Sequence, residues 1–412
     1  MPLSIVLLNI LCYTIRKYLK SGEFTMKNIK LNESLAALKP SPIRTFNDSI
    51  SGIEGIIRLT IGEPDYPTPR FIKDAAIDSI DKSFNGYSHS RGLIELREVI
   101  SQYMDRKYGL TYSATEEIIV TVGATEALFS TFYALLNKGE KIITPSPHYA
   151  VYGTQVGLAG GVFVPVDVTN DDFILTPERL EATLAEHPET KALLFNYPSN
   201  PTGVTYTAEQ LQALAEVIKQ HDIFVISDEI YSELTFDGKH TSIAQYIPDQ
   251  TIVINGASKS HSMTGWRMGF ICGPSWVISE IFKVHQSAIN APSTQAQYAV
   301  IKGYAEGDDA IEEMRQGYIE RRDLLVAGFE KLGFELAAPQ GAFYLFIKVP
   351  AWFDGDGYEF ATKLAHEAKV GVVPGSAFGE AGKNHFRLSY AASTEKLTEA
   401  LNRITAFVEA NN

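Results

Sequence analysis

The sequence is poor in cysteine, in clustered positive charge and in long apolar runs, and each shortage removes a class of function. Cys12 and Cys272 are the only cysteines in 412 residues. Neither a disulfide framework nor a cysteine metal site can be built from them, which points to a reducing, cytoplasmic setting. The nine histidines include no HExxH and no pairing with carboxylates at ligand spacing, so no metal is expected. Net charge is −13 with no long basic block, and phosphate-backbone binding needs clustered Lys and Arg, so a nucleic-acid surface is excluded. The most apolar stretch, LSIVLLNILCYTI at 3–15, is too short to span a bilayer. It has the length of a signal-peptide core, but no basic residue precedes it and RKYLK follows it instead of a small-x-small cleavage site. Ser21-Gly22-Glu23 can be encoded by purine-rich codons resembling a ribosome-binding site just ahead of an ATG for Met26. The expectation is a true start at Met26, with residues 1–25 a translated leader; the rival is a peripheral membrane segment.

What is present is an ordinary globular composition, 45% hydrophobic and 21% charged. At this length two domains are expected. Short apolar runs rich in β-branched residues occur at EIIVTV (117–122), KIIT (141–144), VFVPVD (162–167), ALLFN (192–196), DIFVIS (222–227), TIVIN (251–255) and GFIC (269–272). Amphipathic stretches separate several of them, at 125–137, 207–220 and 275–286. Apolar strands alternating with helices predict an α/β fold with a mostly parallel sheet sandwiched by helices. Beyond about residue 295 the pattern turns to long helices with few strands, such as GAFYLFIKV (341–349). The expected organisation is a large α/β domain over 72–294 and a smaller α+β domain, formed by 295–412 together with the N-terminal segment 26–71.

Ligands of such sheets bind at the carboxyl ends of the strands. After EIIVTV comes GATEAL (123–128), a glycine-led helix entry whose free N–H groups could cradle a phosphate; Thr125 acting only as an N-cap would also explain it. After ALLFN, the turn YPSNPTG (197–203) presents Asn200. After DIFVIS, DEIY puts Asp228 at the strand end, as a buried carboxylate or a helix N-cap, with Tyr231 three residues on. After TIVIN come Lys259 and, eight residues later, Arg267. Each has an ordinary reading as a cap, a turn or a surface charge. Together they are the parts that pyridoxal 5′-phosphate needs: an amine to form an imine, a carboxylate for the pyridine nitrogen, donors for the phenolic oxygen, and a phosphate cradle. Tyr149 or Tyr152, in SPHYAVY, could cover a ring face.

With these residues in view, the chain from about residue 40 onward resembles the class I/II aminotransferases of PLP fold type I. The match rests on S-K-x(6)-W-R (Ser258, Lys259, Trp266, Arg267), SNPTG, SDEIY and a late RLSY. The branch most resembled contains aromatic and N-acetyl-diaminopimelate aminotransferases. The resemblance implies that Lys259 is the Schiff-base lysine and proton shuttle, and that Asp228 pairs with the pyridinium. Asn200 and Tyr231 would bond the phenolic oxygen and Tyr149 would stack on the ring. Gly123, Ala124, Thr125, Ser258 and Arg267 would hold the phosphate, and Tyr87 would reach the phosphate of a neighbouring subunit in a homodimer. Arg387 would clamp the substrate carboxylate, with Gly62 and Asn200 beside it. One departure is Gly256, where many relatives carry a serine. The implied reaction is ping-pong transfer from an L-amino acid, aromatic favoured, to a 2-oxo acid such as 2-oxoglutarate. N-acetyl-diaminopimelate is the alternative donor, and a C–S β-lyase the lesser one. Arg44 is the one cation PIRTF (42–46) offers a side-chain carboxylate, and a surface position is its simpler reading.

Overall fold

The computed structural model describes Leu35, Leu38 and residues 40–412. The expectations for residues 1–25 lie outside the described residues. Lys39–Asn412 form one compact unit.

The chain order begins with the helix Pro42–Ser49 and a two-residue strand β1 (Ile57–Arg58). Seven strands of one sheet follow: β2 (Ile118–Thr121), β3 (Lys141–Ser146), β4 (Val162–Asp167), β5 (Thr190–Asn196), β6 (Phe224–Asp228), β7 (Thr251–Gly256) and β8 (Gly269–Cys272). Their spatial order is β2-β8-β7-β6-β5-β3-β4. Only β8 runs against its neighbours, β2 and β7; every other pairing is parallel. This is the expected fold class. Strands covered on both faces read as unbroken apolar runs, and in β2, β7 and β8 every residue is buried. The helices that cover the sheet are fixed by local chemistry. Thr207 and Gln210 form a reciprocal capping box at Ala208–Ile218, and the Thr176 side chain caps Pro177–Glu186.

The last third adds β9 (Tyr344–Lys348), β10 (Val370–Gly371), β11 (Val373–Pro374) and β12 (His385–Ser389). The first and the last two form an antiparallel sheet ordered β11-β12-β9, while β10 pairs in parallel with β1. Phe46, Ile50 and Leu59 pack in the same apolar core as Tyr318, Phe329, Phe360 and Leu397. The segment after β1 is therefore tied to the C-terminal third and reaches from there toward the large sheet. No helix among the described residues is long and apolar enough to cross a membrane.

Candidate active site

Topology gathers the site. Strands β2, β3, β5, β6 and β7 all point the same way, so their carboxyl ends share one edge, and β8, running the other way, begins there. Beyond that edge lies a cleft of about 1330 Å³. It is lined by Gly62, Ala124, Thr125, Tyr149, Asn200, Asp228, Tyr231, Ser258, Lys259, Arg267 and Arg387. Of the residues singled out in the sequence, Gly123 sits just behind this wall, and Tyr87 stands away from it, 90% exposed.

Lys259 lies in a single helical turn, Ala257–Ser260, directly after β7. It is not the solvated surface lysine that loop position alone allows. Its Nζ donates to the Gly62 carbonyl at 2.8 Å, and burial lowers its pKa from about 10.5 to about 8. A substantial share of the amine is thus neutral near physiological pH, as a nucleophile and proton carrier requires. Gly62 is closely packed. A Cβ there would lie 2.1 Å from the Tyr344 hydroxyl oxygen.

Asp228 ends β6 and is 4% exposed. No α-helix follows it, so the N-cap alternative falls away; instead Oδ1 accepts from the Ile230 N–H at 3.3 Å in a local turn. The Tyr152 hydroxyl donates to Oδ2 at 2.7 Å. Burial raises the carboxyl to about 6, and the Tyr152 bond opposes that rise. Tyr152 is therefore engaged with the carboxylate, while Tyr149, meeting it edge-on at 5.5 Å, faces the cleft.

The helix Gly123–Leu135 begins at Gly123 itself, so Thr125 is within the first turn and is not the N-cap. Gly123 has φ +73°, and a Cβ on it would stand 2.6 Å from Arg267 Nη2. Glycine thus lets a guanidinium lie against a helix start whose first N–H groups have no partner inside the helix. Arg267, itself at φ 55°, is held there by Nη1 donating to the Thr264 carbonyl at 3.0 Å.

Arg387 is 2% exposed, which rules out a surface-strand arginine. Nη1 donates to Asn200 Oδ1 at 2.9 Å and Nη2 to the Thr60 carbonyl at 2.6 Å. The guanidinium is sandwiched by the Tyr344 and Phe378 rings at 4.4 and 4.7 Å. Its Nε has no partner among the described residues, and burial lowers its pKa. A buried cation with no acid beside it is costly unless a ligand brings the anion.

Sequence reasoning passed over three contributors and offered a fourth, Tyr152, only as a ring cover. Tyr152 orients Asp228. Asn196 donates to the Asp228 carbonyl at 2.8 Å and accepts from the Asn200 N–H at 3.0 Å, which ties two strand ends together. Tyr344 bonds the Tyr231 hydroxyl at 2.8 Å, and Thr60 holds Arg387. Asn196 carried a signal, a polar residue ending an apolar strand. The others lacked one, because their partners are remote in sequence. Arg44 is exposed as anticipated, yet it lines the cleft beside Ile43 and Asn47 from the helix Pro42–Ser49.

A buried amine whose pKa falls to about 8, a buried carboxylate raised to about 6, an arginine set against a helix start and a buried guanidinium whose Nε lacks a partner among the described residues fit pyridoxal 5′-phosphate plus a carboxylate substrate. Comparison with known proteins agrees. The chain is 41% identical to the probable N-acetyl-LL-diaminopimelate aminotransferase of Bacillus subtilis over 378 residues, covering 92% of this chain and 95% of that one. It superposes on the aspartate aminotransferase of Thermus thermophilus, solved with maleate, with TM-score 0.87, 39% identity and coverage of 92% and 100%. For the aromatic aminotransferase of Pyrococcus horikoshii the values are 0.83, 37%, 89% and 99%. Residues 54–404 match the family described as aminotransferase class I and II, and the chain belongs to that family: it is an enzyme that uses pyridoxal 5′-phosphate to transfer amino groups.

Proposed function

We propose that the enzyme moves the amino group of an L-amino acid, aromatic donors favoured, to a 2-oxo acid such as 2-oxoglutarate by ping-pong turnover at the cleft described above. The observation that carries this reading is Arg387, a buried guanidinium whose Nε has no partner and whose charge has no acid beside it among the described residues, lining the same cleft as Lys259. Donor and acceptor both present a carboxylate to it. When bound, the cofactor supplies an aldehyde that condenses with amines and a ring that withdraws electrons from Cα. Lys259 Nζ holds and moves the proton lost from the substrate Cα. Asp228, kept largely ionised above pH 6 and oriented by Tyr152, supplies the anion for a pyridinium. Asn200, whose oxygen is engaged by Arg387, keeps its amide N–H groups for the phenolic oxygen, with the Tyr231 hydroxyl beside them. Tyr149 covers the ring. The N–H groups of Gly123, Ala124 and Thr125, with Ser258 and Arg267, hold the phosphate.

Ile43 and Ile61 line the cleft and Ile61 is 57% exposed; this unfilled apolar surface supports an aromatic donor. Arg44 on the same wall supports an acceptor with a distal carboxylate. Exposed Ile77, Ile80, Phe84 and Tyr87 support a homodimer in which Tyr87 reaches the partner's phosphate. The pairing of β1 with β10 supports the segment 26–71 joining 295–412 as a small domain beside 72–294. The relative named for N-acetyl-LL-diaminopimelate, at 41% identity, supports that compound as the second candidate donor.

An absorbance spectrum tests the reading. The near-visible cofactor band should shift to the blue with L-phenylalanine and return with 2-oxoglutarate. A band that ignores phenylalanine but responds to N-acetyl-LL-diaminopimelate would replace the donor. Release of free ammonia and pyruvate from a cysteine conjugate would replace transfer with β-elimination.

A further inference from the structure

Behind the phosphate cradle, away from the cleft, lies a buried acid–base pair that the reaction as described does not use. Glu126 is in the first turn of the helix Gly123–Leu135. Its Oε2 accepts from the Val122 N–H at 3.1 Å and its Oε1 from the Ser130 hydroxyl at 2.5 Å. Against it stands His285, from the helix Ser275–Ile289, with Nδ1 at 3.1 and 3.2 Å from the two carboxyl oxygens. The other ring nitrogen, Nε2, lies 2.9 Å from the Ser90 carbonyl. The His285 side chain is fully buried and that of Glu126 is 9% exposed.

Proton bookkeeping defines the pair. A backbone carbonyl only accepts, so Nε2 carries a hydrogen. Between Nδ1 and Glu126 one further proton is needed, because an ionised carboxylate and a bare ring nitrogen are both acceptors. Whichever of the two holds it, the pair is net neutral. That matters because of its place. A lone carboxylate in the first turn would compete with a phosphate dianion for the positive end of the same helix.

We propose that His285 is a positioning residue that cancels the charge of Glu126 and so tunes the phosphate cradle, while anchoring the loop that carries Tyr87 through Ser90. The inference rests on the reading that the cofactor phosphate sits at Gly123–Thr125. It predicts that phosphate affinity follows the net charge of the pair, not the presence of an imidazole.

The test is equilibrium binding to the apoenzyme, followed by absorbance, of pyridoxal 5′-phosphate and of pyridoxal, which lacks the phosphate. His285→Gln can still donate to Ser90 or Glu126 but leaves Glu126 uncompensated. It should weaken pyridoxal 5′-phosphate binding about tenfold, the scale of one uncompensated charge near a helix terminus, and leave pyridoxal within about twofold. Adding Glu126→Gln to His285→Gln should restore the phosphate ester to within about twofold of wild type. Glu126→Gln alone, which keeps the pair neutral, should change neither ligand by more than that. Equal weakening of both ligands in His285→Gln, no weakening at all, or a double variant no better than the single would overturn the proposal. Should His285→Gln fail to give a cooperative melt, Glu126→Gln decides alone, and a tenfold loss there refutes the charge argument. Wild-type apoenzyme binding pyridoxal as tightly as its phosphate would instead overturn the phosphate reading itself.

Discussion

Replacing Lys259 by methionine should stabilise the cofactor-free protein while abolishing transfer. The reason is the cost of keeping an ammonium in this cleft. Burial brings the Lys259 pKa from an ordinary value near 10.5 to about 8, and a displacement of that size corresponds to about 3 kcal/mol between the two protonation states. At pH 7 the folded apoenzyme carries most of that cost, because the lysine is mostly protonated. Methionine removes the charge at nearly constant volume but gives up the bond to the Gly62 carbonyl, worth about 1 kcal/mol for a neutral donor. A net gain of about 2 kcal/mol is expected at pH 7, seen as a rise of about 2–4 °C in Tm for a chain of this size. The sign of the pH dependence follows from linkage. The folded pKa is depressed, so between about pH 8 and 10.5 the unfolded chain holds more protons and wild-type stability rises with pH. Methionine has no such term, so the advantage of the variant should shrink across that window, vanish at about pH 10 and give way at higher pH to a wild type more stable by about 1 kcal/mol, the retained bond to Gly62. The assay is thermal or urea unfolding of both apoenzymes from pH 7 to 10.5 at one protein concentration. Cofactor is excluded because, by mass action, it would stabilise the wild type, which can bind it covalently, more than the variant. A variant less stable than wild type at pH 7, or a difference that does not move with pH, would refute the burial argument.

Three further outcomes are expected. Tyr152→Phe removes a hydrogen bond to an ionised group, worth about 1.5–3 kcal/mol. This raises Asp228 from about 6 by roughly one to two pH units. Apoenzyme affinity for the cofactor should therefore fall at pH 7 and approach wild type by pH 9; a loss that does not vary with pH would mean Tyr152 acts through packing. Gly62→Ala places a Cβ 2.1 Å from the Tyr344 hydroxyl oxygen, itself tied to Tyr231 at 2.8 Å. An overpacking cost of about 1–3 kcal/mol should lower both Tm and kcat/KM, and unchanged kinetics would show that Tyr344 has room to retreat. Arg387→Lys keeps the charge and loses the fork, so KM for donor and acceptor should both rise about 10- to 100-fold. A change in kcat alone would place Arg387 elsewhere in the cycle.

The sequence made the strand ends legible because they are local. An apolar run stops and a polar residue that is expensive to bury follows, as at Asp228 and Lys259. The class of the fold was legible for the same reason, in the alternation of buried strands with amphipathic helices. The partners that tune those residues were not. Tyr152 and Asp228 are 76 positions apart, Lys259 and Gly62 are 197, and Arg387 and Thr60 are 327. No periodicity or spacing rule joins residues at such distances; the closing of the sheet does. Boundaries slipped at Pro145 and Gly123. The apolar run KIIT ends at Thr144, yet β3 continues through Pro145 to Ser146. The pairing of β3 with β5 ends at Ile143–Leu193, while that with β4 continues through Pro145–Val166, so the missing proline N–H falls outside the abandoned ladder. The helix expected from residue 125 already begins at Gly123, whose φ of +73° lies in the left-handed region.

The same division explains why substrate is harder to read than chemistry. Under the proposed reading any donor brings a carboxylate to Arg387 and a Cα proton to Lys259; Arg387 is held on β12 of the small sheet and Lys259 directly after β7 of the large one. The wall that would touch the donor's side chain is built differently. Ile43, Arg44 and Asn47 come from the helix Pro42–Ser49, and Ile61 from the segment after β1. Neither element belongs to the large sheet, and both are anchored in the core of the C-terminal third through Phe46, Ile50 and Leu59. The Thr60 and Gly62 carbonyls on either side of Ile61 accept from Arg387 and Lys259, so side-chain changes at Ile43, Arg44 and Ile61 can alter the wall while those backbone contacts stay in place. Proteins named for aspartate, aromatic and N-acetyl-LL-diaminopimelate transfer all stand near 40% identity to this chain, as a variable wall beside a shared site would allow. Under the proposed reading, donor choice is set within residues 40–62, where the apolar Ile43 and Ile61 and the exposed Arg44 line the same cleft.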